Sequence, residues 1–540
     1  MAMRRLLVVA FHSLALHAEL DSEPGFEYYA GAAGPWSSEF QVTLHHAGRS
    51  ASRPHWAALS RGADLKLASN LWFDLFSLTF TASLYQATVG MDRNQQIEAP
   101  LGWNLHSHAT RDAERTYHFG VRESEVCGCE LSIVVVSFEK FCDEERRYGI
   151  HLQLSDDAHT VSFAVNGCGK HISVHYGSVF VDANSSKYNL DSSTHDAMLV
   201  FVSEPAPPVD PAALVIPPGE HHVGQGGVLN ISCEVPAVHV QRGAYVYGKL
   251  ALQCTQRPTH VYGPGILDGR YFRYNERKGK LWNETRMMLN FAGSAGGDVW
   301  GLTVVNPNFR LFDTIVSGSR IAMFRGMGWA ANNGGGHFEF NTSARDSFIR
   351  STDDLIKVRG GNIVTENLVL WQSYNGGTFQ FGWAGLHLVN ITHRTASVIE
   401  NEWRAPEVWE TYDTRPNNAV VSLVDANPAD PAQLVGPFVW QDLQIDGDVS
   451  HPLSLHLENG FLGNMLFDGL TISGKVTRFA FATAVEGSAT IANVTFRNFT
   501  IEGKLISHLD DPAFRFHHAG GVQINTFKFE PESVDQIVLV

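Results

Sequence analysis

The stretch IVTENLVLW, residues 363–371, decides the fold, because two later segments repeat its form, MLFDGLTIS at 465–473 and VTFRNFTIE at 494–502. Each contains a short apolar alternation, a turn with Asn, Asp or Gly, and a second alternating run. Alternation with a period of two is typical of a strand that buries one face. Asn and Gly tolerate the left-handed backbone of a sharp turn. The form therefore predicts successive coils of a parallel β-helix, whose neighbouring coils bury a continuous core.

Similar alternating runs recur at irregular spacings from about residue 235 to the C-terminus, and none has helical periodicity. They include AVHVQRGAYVYGKLAL, DVWGLTVVNP, GLHLVNITHRTASVI and FVWQDLQIDG. A β-propeller is the competing all-β architecture, but the chain has no blade-length repeat with a fixed signature. The pattern therefore favours the parallel β-helix.

The N-terminal part of the chain has a different pattern. Segments such as ELSIVVVSFEKF and HISVHYGSVFVDA are rich in β-branched and aromatic residues and are interrupted by Gly, Asn and Asp. Residues 206–224 concentrate prolines, which remove backbone donors and favour extended connectors. We predict an all-β chain with a β-sandwich over residues 19–205, a proline-rich linker over 206–224 and a β-helix over 225–540.

Residues 1–18 are expected to form a secretory signal peptide, because two arginines precede an apolar run and then Ala18. The alternative is an ordinary apolar first strand. The chain has 6 cysteines, an even number, and several N-x-S/T sequons. Both features agree with a secreted, extracellular protein. The sequons begin at Asn184, Asn230, Asn283, Asn341, Asn390, Asn493 and Asn498.

Charge and cysteine spacing argue against several classes of partner. The formal net charge of −16 opposes binding to nucleic acid or to anionic lipid. Apart from the N-terminal run, no segment is apolar for long enough to span a bilayer. Cys127 and Cys129 form a C-G-C pair that fits neither a redox motif nor a usual zinc site. We therefore expect no metal, no other cofactor, no nucleic acid and no membrane partner, and we predict a monomer.

Two adjacent acids, Asp353 and Asp354, lie in STDDLIKVR, where a strand is predicted to begin. Inverting glycoside hydrolysis needs one carboxylic acid to protonate the leaving oxygen and one carboxylate to activate water. Repulsion between close carboxylates raises the pKa of one of them, and Lys357 can moderate that field. The alternative is a simple turn, in which paired aspartates are common.

The surrounding text, STDDLIKVRGGNIVTENLVLWQSYNGGTFQFGW at residues 351–383, resembles glycoside hydrolase family 49, the dextranase and isopullulanase family. That family carries a DD-x-(I/L)-K stretch, an apolar strand that ends in Trp, and then FGW or MGW. RGAYVYGKL, GPGILDGRYF and GLTVVNPNFRLFD match upstream in the family's order. The resemblance covers residues 235–400 clearly and continues loosely to the C-terminus. It implies an N-terminal β-sandwich followed by a right-handed parallel β-helix, a pectin-lyase-like solenoid.

The resemblance also implies an activity, the inverting endo-hydrolysis of an α-glucan at α-1,6 links of dextran or α-1,4 links of pullulan. Asp353 corresponds to the general acid and Asp354 to one of two carboxylates that activate water. The family's third acid lies one coil earlier, in a T-D-G-x-E stretch. Here that text is NNGGGHFEF, where Glu339 matches the family's Glu and the Asp falls at Gly334 to Gly336. The chain therefore lacks one base carboxylate, and Glu339 or His337 are the candidates to compensate.

Aromatic residues of the matched coils are candidates for stacking on sugar rings, although Trp371 and Trp383 could equally cap the core. The predicted substrate-binding residues are Lys357, Trp371, Tyr374, Trp383, His337, Asn308 and Asp313. Two alternative functions remain. One is a polysaccharide-binding relative that has lost hydrolysis, and the other is a polygalacturonase-like pectin hydrolase. The second is disfavoured because no R-x-K or G-H-G partner follows Asp354 at the expected places.

Overall fold

The computed structural model describes the backbone of ten strands between residues 36 and 203 and most of the chain from 208 to 530. Within the second part it omits residues 209, 224–226, 242–243, 270–286, 292–293, 308, 314–317, 329–332, 374–375, 383–387, 403–418, 425–431, 458–459, 485–488 and 520–521. None of the described residues belongs to a helix with the length and apolarity needed to cross a membrane.

The first ten strands form one mixed sheet, which we call the N-terminal sheet. They are β1 (Trp36–His46), β2 (Arg49–Ser50), β3 (His55–Ala58), β4 (Trp72–Phe76), β5 (Ala82–Gln86), β6 (Ser132–Ser137), β7 (Leu152–Leu154), β8 (Thr160–Val165), β9 (Lys170–His175) and β10 (Asp196–Ser203). The pairs β1–β6, β6–β8 and β9–β10 are antiparallel, whereas β4 and β10 are parallel. The strand content agrees with the prediction, and the division into a two-layer sandwich stays a prediction.

The remaining strands follow in chain order. They are β11 (Leu214–Ile216), β12 (Gly219–His222), β13 (Val228–Ile231), β14 (Ala237–Val240), β15 (Ala244–Tyr247), β16 (Lys249–Leu252), β17 (His260–Tyr262), β18 (Ile266–Asp268), β19 (Met287–Asn290), β20 (Asp298–Trp300), β21 (Thr303–Val305), β22 (Arg310–Asp313), β23 (Arg320–Ala322), β24 (Arg325–Met327), β25 (Gly334–Phe338), β26 (Ser343–Ser351), β27 (Ile356–Val358), β28 (Ile363–Ser373), β29 (Phe379–Gly382), β30 (Ile391–Glu402), β31 (Ala419–Val424), β32 (Ala432–Leu434), β33 (Phe438–Ile445), β34 (His451–Leu457), β35 (Gly460–Asp468), β36 (Thr471–Ile472), β37 (Ala480–Ala484), β38 (Ala489–Arg497), β39 (Thr500–Ile501), β40 (Lys504–Leu505), β41 (Phe516–Ala519) and β42 (Gln523–Glu530).

These strands form two sheets that wind around one core. The small sheet has 11 strands, in the order β13, β16, β19, β22, β25, β27, β29, β31, β34, β37 and β41, and the large sheet has the other 21. Within the small sheet each strand pairs in parallel with the next, as β22 does with β25 and β25 with β27. This arrangement is the parallel β-helix that the sequence predicts. Its handedness stays a prediction.

The large sheet begins inside the segment that the sequence predicts as a linker. β11 pairs in parallel with β14, and β12 pairs with β15. Prolines 217 and 218 lie between β11 and β12, where the chain needs no ladder donor. Proline content therefore marks a corner of the first coil as well as the approach to it, and the domain boundary itself stays a prediction.

The repeated sequence form has the backbone that its turn residues predict. Asn367, Gly469 and Asn498, the turn residues of the three repeats, have φ of 52°, 76° and 51°. At these points β28 bends, β35 ends before β36, and β38 ends before β39. Apolar residues on either side face the interior in stacked rows. Phe312, Ile356 and Phe379, on β22, β27 and β29, are fully buried in one of these rows.

An asparagine ladder ties three coils together on the outside of the β-helix. Asn341, Asn362 and Asn390 have φ of 55°, 57° and 56°. The Asn362 Nδ2 atom donates to Asn341 Oδ1 at 3.0 Å, and Asn390 Nδ2 donates to Asn362 Oδ1 at 3.0 Å. The ladder uses side chains that also tolerate left-handed backbone, so each residue satisfies two structural demands.

Substitution at the middle of this ladder separates the two demands. Asn362→Ala and Asn362→Gly both remove the two side-chain hydrogen bonds, but only Ala adds the cost of a Cβ atom at positive φ. We expect Asn362→Ala to lower the free energy of unfolding by about 1 kcal/mol more than Asn362→Gly. Denaturant unfolding of the two variants measures this difference, and equal losses would contradict the role of backbone conformation. Asn362 heads no sequon, so glycosylation does not complicate the comparison.

Candidate active site

The two aspartates lie on the corner that joins β26 in the large sheet to β27 in the small sheet. Hydrogen bonds to the coil before and the coil after hold this corner. The backbone N–H groups of Thr352 and Asp353 both donate to the Asn333 carbonyl at 3.0 Å. Gln372 Nε2, from the following coil, donates to the Asp353 carbonyl at 3.1 Å. The corner therefore has the rigid backbone that a catalytic pair requires.

Asp354 is buried, and each of its carboxylate oxygens accepts a hydrogen bond. Its side chain is 5% exposed. One oxygen, Oδ2, accepts a hydrogen bond from Lys357 Nζ at 2.6 Å, and the other, Oδ1, accepts from the Gly377 backbone N–H at 3.2 Å. The ammonium compensates the negative charge of an ionised carboxylate. Lys357, which the sequence placed in the substrate site, thus contacts the acid pair directly.

Asp353 has a different environment, and this difference separates the two acids chemically. It is half-buried, and its Oδ1 atom accepts the Asp354 backbone N–H at 2.9 Å. The pKa of Asp353 is raised to about 6, first by burial and then by the neighbouring charge of Asp354, while Lys357 and Arg310 act in the opposite direction. Asp353 therefore holds a proton at mildly acidic pH while Asp354 keeps an ammonium partner.

Asp313, His337 and Lys357 form one row on the small sheet, because β22, β25 and β27 align them in register. The first two are almost fully buried, with Asp313 Oδ2 lying 3.6 Å from His337 Nδ1. Among the described residues Asp313 Oδ1 has no hydrogen-bond partner. Burial raises the pKa of Asp313 to about 7, although the Arg310 charge lowers it. These two predicted substrate-binding residues thus belong to a closed polar layer next to Lys357.

Arg310 completes this layer. Its Nη1 atom lies 3.1 Å from His337 Nδ1. A guanidinium only donates, so Nδ1 accepts this bond and the ring proton of neutral His337 sits on Nε2. Neither ring nitrogen then keeps a lone pair for a proton from water. This geometry argues against His337 as the replacement for the missing base.

Glu339 lies at the other end of the strand from the acid pair. Its Oε1 atom is 3.7 Å from Arg359 Nε, and burial raises its pKa. Glu339 follows Phe338, which pairs with Val358. Arg359 is therefore its neighbour across the sheet, whereas Asp354 precedes β27. Its predicted role as a compensating base stays a prediction, and the contact with Arg359 supports the alternative of a structural acid.

The three glycines at which the resemblance implies an acid are not equivalent. A Cβ atom on Gly335 would lie 2.1 Å from the Leu355 carbonyl oxygen, and one on Gly336 would lie 2.1 Å from the Phe312 ring. A Cβ atom on Gly334 would meet only the Arg310 side chain, with Cγ at 3.1 Å. Gly334 is therefore the one position of the three where a side chain fits without meeting a backbone atom or a packed ring.

The aromatic candidates have mixed outcomes. Trp371 is fully buried, with the Arg350 guanidinium carbon 5.2 Å from its ring centroid. A buried ring cannot stack on a sugar, so the alternative that Trp371 caps the packed interior agrees better with the structure. Tyr374, Trp383 and Asn308 lie outside the described residues.

Sequence reasoning did not select Arg310. It begins β22, where the alternation gives it the same parity as the inward-facing Phe312, so it would be read as a core position. At the strand entrance its side chain instead extends over Gly334. The only sequence signal for Arg310 was a charged residue at a position where the alternation otherwise places an apolar one.

The glycine assignment has a direct test. Gly336→Ala places its new methyl group against the Phe312 ring, so we expect a loss of about 1–3 kcal/mol in the free energy of unfolding. Gly334→Ala needs only a small movement of a flexible side chain, so we expect a change within about 0.5 kcal/mol. Denaturant unfolding of the two variants under identical conditions compares them. A larger loss for Gly334→Ala would contradict the assignment.

Known proteins resemble this chain in sequence and in fold. No family model matches the chain. A dextranase of Arthrobacter globiformis is 22% identical over 328 residues, which cover 54% of this chain and 51% of the relative. An isopullulanase of Aspergillus niger is 23% identical over 210 residues, covering 36% of this chain and 37% of that protein. The chain thus spans about half the length of the dextranase that it matches.

The fold has a solved counterpart in Dex49A from Penicillium minioluteum. The two superpose with a TM-score of 0.57 over 93% of this chain and 96% of that one, at 14% identity. Identity this low supports the fold alone, while the sequence matches carry the relationship. Together they confirm the resemblance predicted from the sequence: the chain is similar in sequence to dextranases and an isopullulanase, and it shares the fold of Dex49A.

Proposed function

We propose that this protein is a glycoside hydrolase that cuts internal links of an α-glucan, at α-1,6 bonds of dextran or α-1,4 bonds of pullulan. The observation that carries the proposal is the contrast between two adjacent carboxyl groups on one rigid corner. Asp354 is paired with Lys357 at 2.6 Å, while burial raises the pKa of Asp353 to about 6. The similarity to a dextranase and an isopullulanase supports the choice of glucan.

In the proposed mechanism Asp353 is the general acid. It protonates the glycosidic oxygen as the bond to the anomeric carbon breaks, and the leaving sugar keeps that proton. Asp354 accepts a proton from the water that attacks the opposite face of the ring, which inverts the anomeric configuration. Lys357 holds Asp354 in place through its hydrogen bond to Oδ2.

We propose in addition that the protein acts outside the cell. The expected signal peptide and the sequons motivate this location. A disulfide between Cys233 and Cys254, with an S–S distance of 2.08 Å, supports it, because disulfides persist mainly in oxidising compartments.

The decisive experiment incubates the purified protein with dextran, pullulan and polygalacturonate and follows reducing ends and the anomeric form of the product by NMR. We expect internal cleavage of one α-glucan with inverted product, and a loss of at least about 100-fold in rate for Asp353→Asn. Asp468→Asn, a change at an acid on a distant coil that is paired with Arg497, is the matched control and keeps its rate. Cleavage of polygalacturonate alone would instead indicate a pectin hydrolase.

A second candidate function is glucan binding without turnover, and the bare Gly334 position favours it. Dextran that binds to the protein but is not cut would support this second function. Gly334→Asp then returns a carboxylate to the one glycine position with room for it, and hydrolysis that appears in that variant would identify a binding protein derived from an enzyme.

The pH dependence tests the role of Asp353 separately. Because the general acid must hold its proton, and its pKa is about 6, activity is lost as pH rises through that value. We expect kcat/KM on the accepted glucan to fall about tenfold per pH unit above about pH 6. Initial rates at constant ionic strength from pH 4 to 8 measure the profile. A rate that stays constant up to pH 8 would exclude Asp353 as the acid.

A further inference from the structure

Arg310 lies in the space that a side chain at position 334 would need. β22 aligns Arg310 with Gly334 on the next coil. The Arg310 Cγ and Nε atoms lie 3.1 Å and 3.6 Å from where a Gly334 Cβ atom would be. The aliphatic part of the Arg310 side chain therefore occupies the space next to Gly334, one of the positions at which the resemblance implies a carboxylate.

The guanidinium is held in place from two sides. Its carbon lies 4.6 Å from the centroid of the Phe309 ring, and its Nη1 atom donates to His337 Nδ1 at 3.1 Å. Its charge interacts with the carboxyl groups of Asp313, Asp353 and Asp354. Arg310 is thus a half-buried, preorganised cation beside the acid pair.

Two of the described carboxylates in this region are paired with other cations. Lys357 pairs with Asp354 at 2.6 Å, and Arg359 pairs with Glu339 at 3.7 Å. No carboxylate oxygen of the described residues lies within 4.0 Å of the Arg310 nitrogens. The nearby Asp313, whose pKa burial raises to about 7, carries a proton under mildly acidic conditions.

Most donors of Arg310 are also not bonded to any described residue. A guanidinium has five N–H groups, and one of them is bonded to a described residue, His337. Its planar fork matches the two oxygens of a carboxylate, sulfate or phosphate group. A neutral sugar hydroxyl could accept one bond but would leave the positive charge uncompensated.

We propose that Arg310 forms an anion-binding subsite next to the acid pair, so that the preferred substrate is an α-glucan whose sugars carry acidic substituents. This inference rests on the proposed function for the glucan backbone. It adds the chemical class of the substituent, a carboxylate, sulfate or phosphate ester, at a sugar close to the bond that is cut. Arg310 is then a specificity residue in contact with the substrate.

Binding without turnover tests the subsite. In an Asp353→Asn background, calorimetry at constant ionic strength compares a neutral isomalto-oligosaccharide with the same oligosaccharide carrying one sulfate. We expect the charged probe to bind about tenfold more tightly, and Arg310→Met to remove that preference. Arg310→Lys keeps the charge but not the fork, so it should retain part of the preference.

Equal affinities for the two probes in the Asp353→Asn protein would overturn the proposal, even if Arg310→Met failed to fold. So would an equal loss for both probes in a folded Arg310→Met variant, because that is the result of a general packing role. Inorganic sulfate that displaces the charged probe and leaves the neutral one bound would support an anion subsite. Sulfate that displaces both probes, or neither, would contradict it.

The outcome is separable from that of the proposed function. A protein that cuts neutral dextran but shows no charge preference keeps the activity and loses the subsite. A protein that prefers the charged probe but cuts no glucan keeps the subsite and loses the hydrolase function.

Discussion

Parallel hydrogen bonding from each coil to the next is the interaction on which the rest of this structure depends. It satisfies the backbone of every coil with the backbone of its neighbours and places equivalent residues in rows with a spacing of about 4.8 Å. Phe312, Ile356 and Phe379 share an inward row, and Asp313, His337 and Lys357 share an outward one. A side chain in one coil therefore acquires its neighbours from residues twenty or more positions away in the sequence.

This stacking explains how acidic and basic groups can be concentrated in a small volume. Lys357 and Asp354 share one coil, and Arg310 reaches in from two coils earlier. Because burial penalises charge, the acids respond in different ways: Asp354 has an ammonium partner, whereas the pKa of Asp353 is raised to about 6. The two adjacent aspartates have the same side chain, so the difference between them arises from the contacts that each one makes.

Much of the fold could be predicted because its requirements are local. Alternation marks the strands, and Asn367 and Asn498 mark the corners since they adopt positive φ. The acid pair was also recognisable from DDLIK, which carries both the carboxylates and the lysine that pairs with one of them. The neighbours of Glu339 and Arg310 could not be predicted in the same way. A shift of one residue in register moves a side chain to the opposite face of a strand.

The sequence by itself determined an all-β chain, a coil-by-coil solenoid and the presence of a carboxylate pair, because alternation, turn chemistry and a short motif depend on neighbouring residues. Only the tertiary structure decided which of three consecutive glycines has room for a side chain, that Glu339 pairs with Arg359, and that Arg310 extends over Gly334. It also decided that Trp371 is buried rather than available for stacking on a sugar. These outcomes depend on the register between coils and on the direction of side chains at strand entrances, and the spacing of residues along the chain specifies neither.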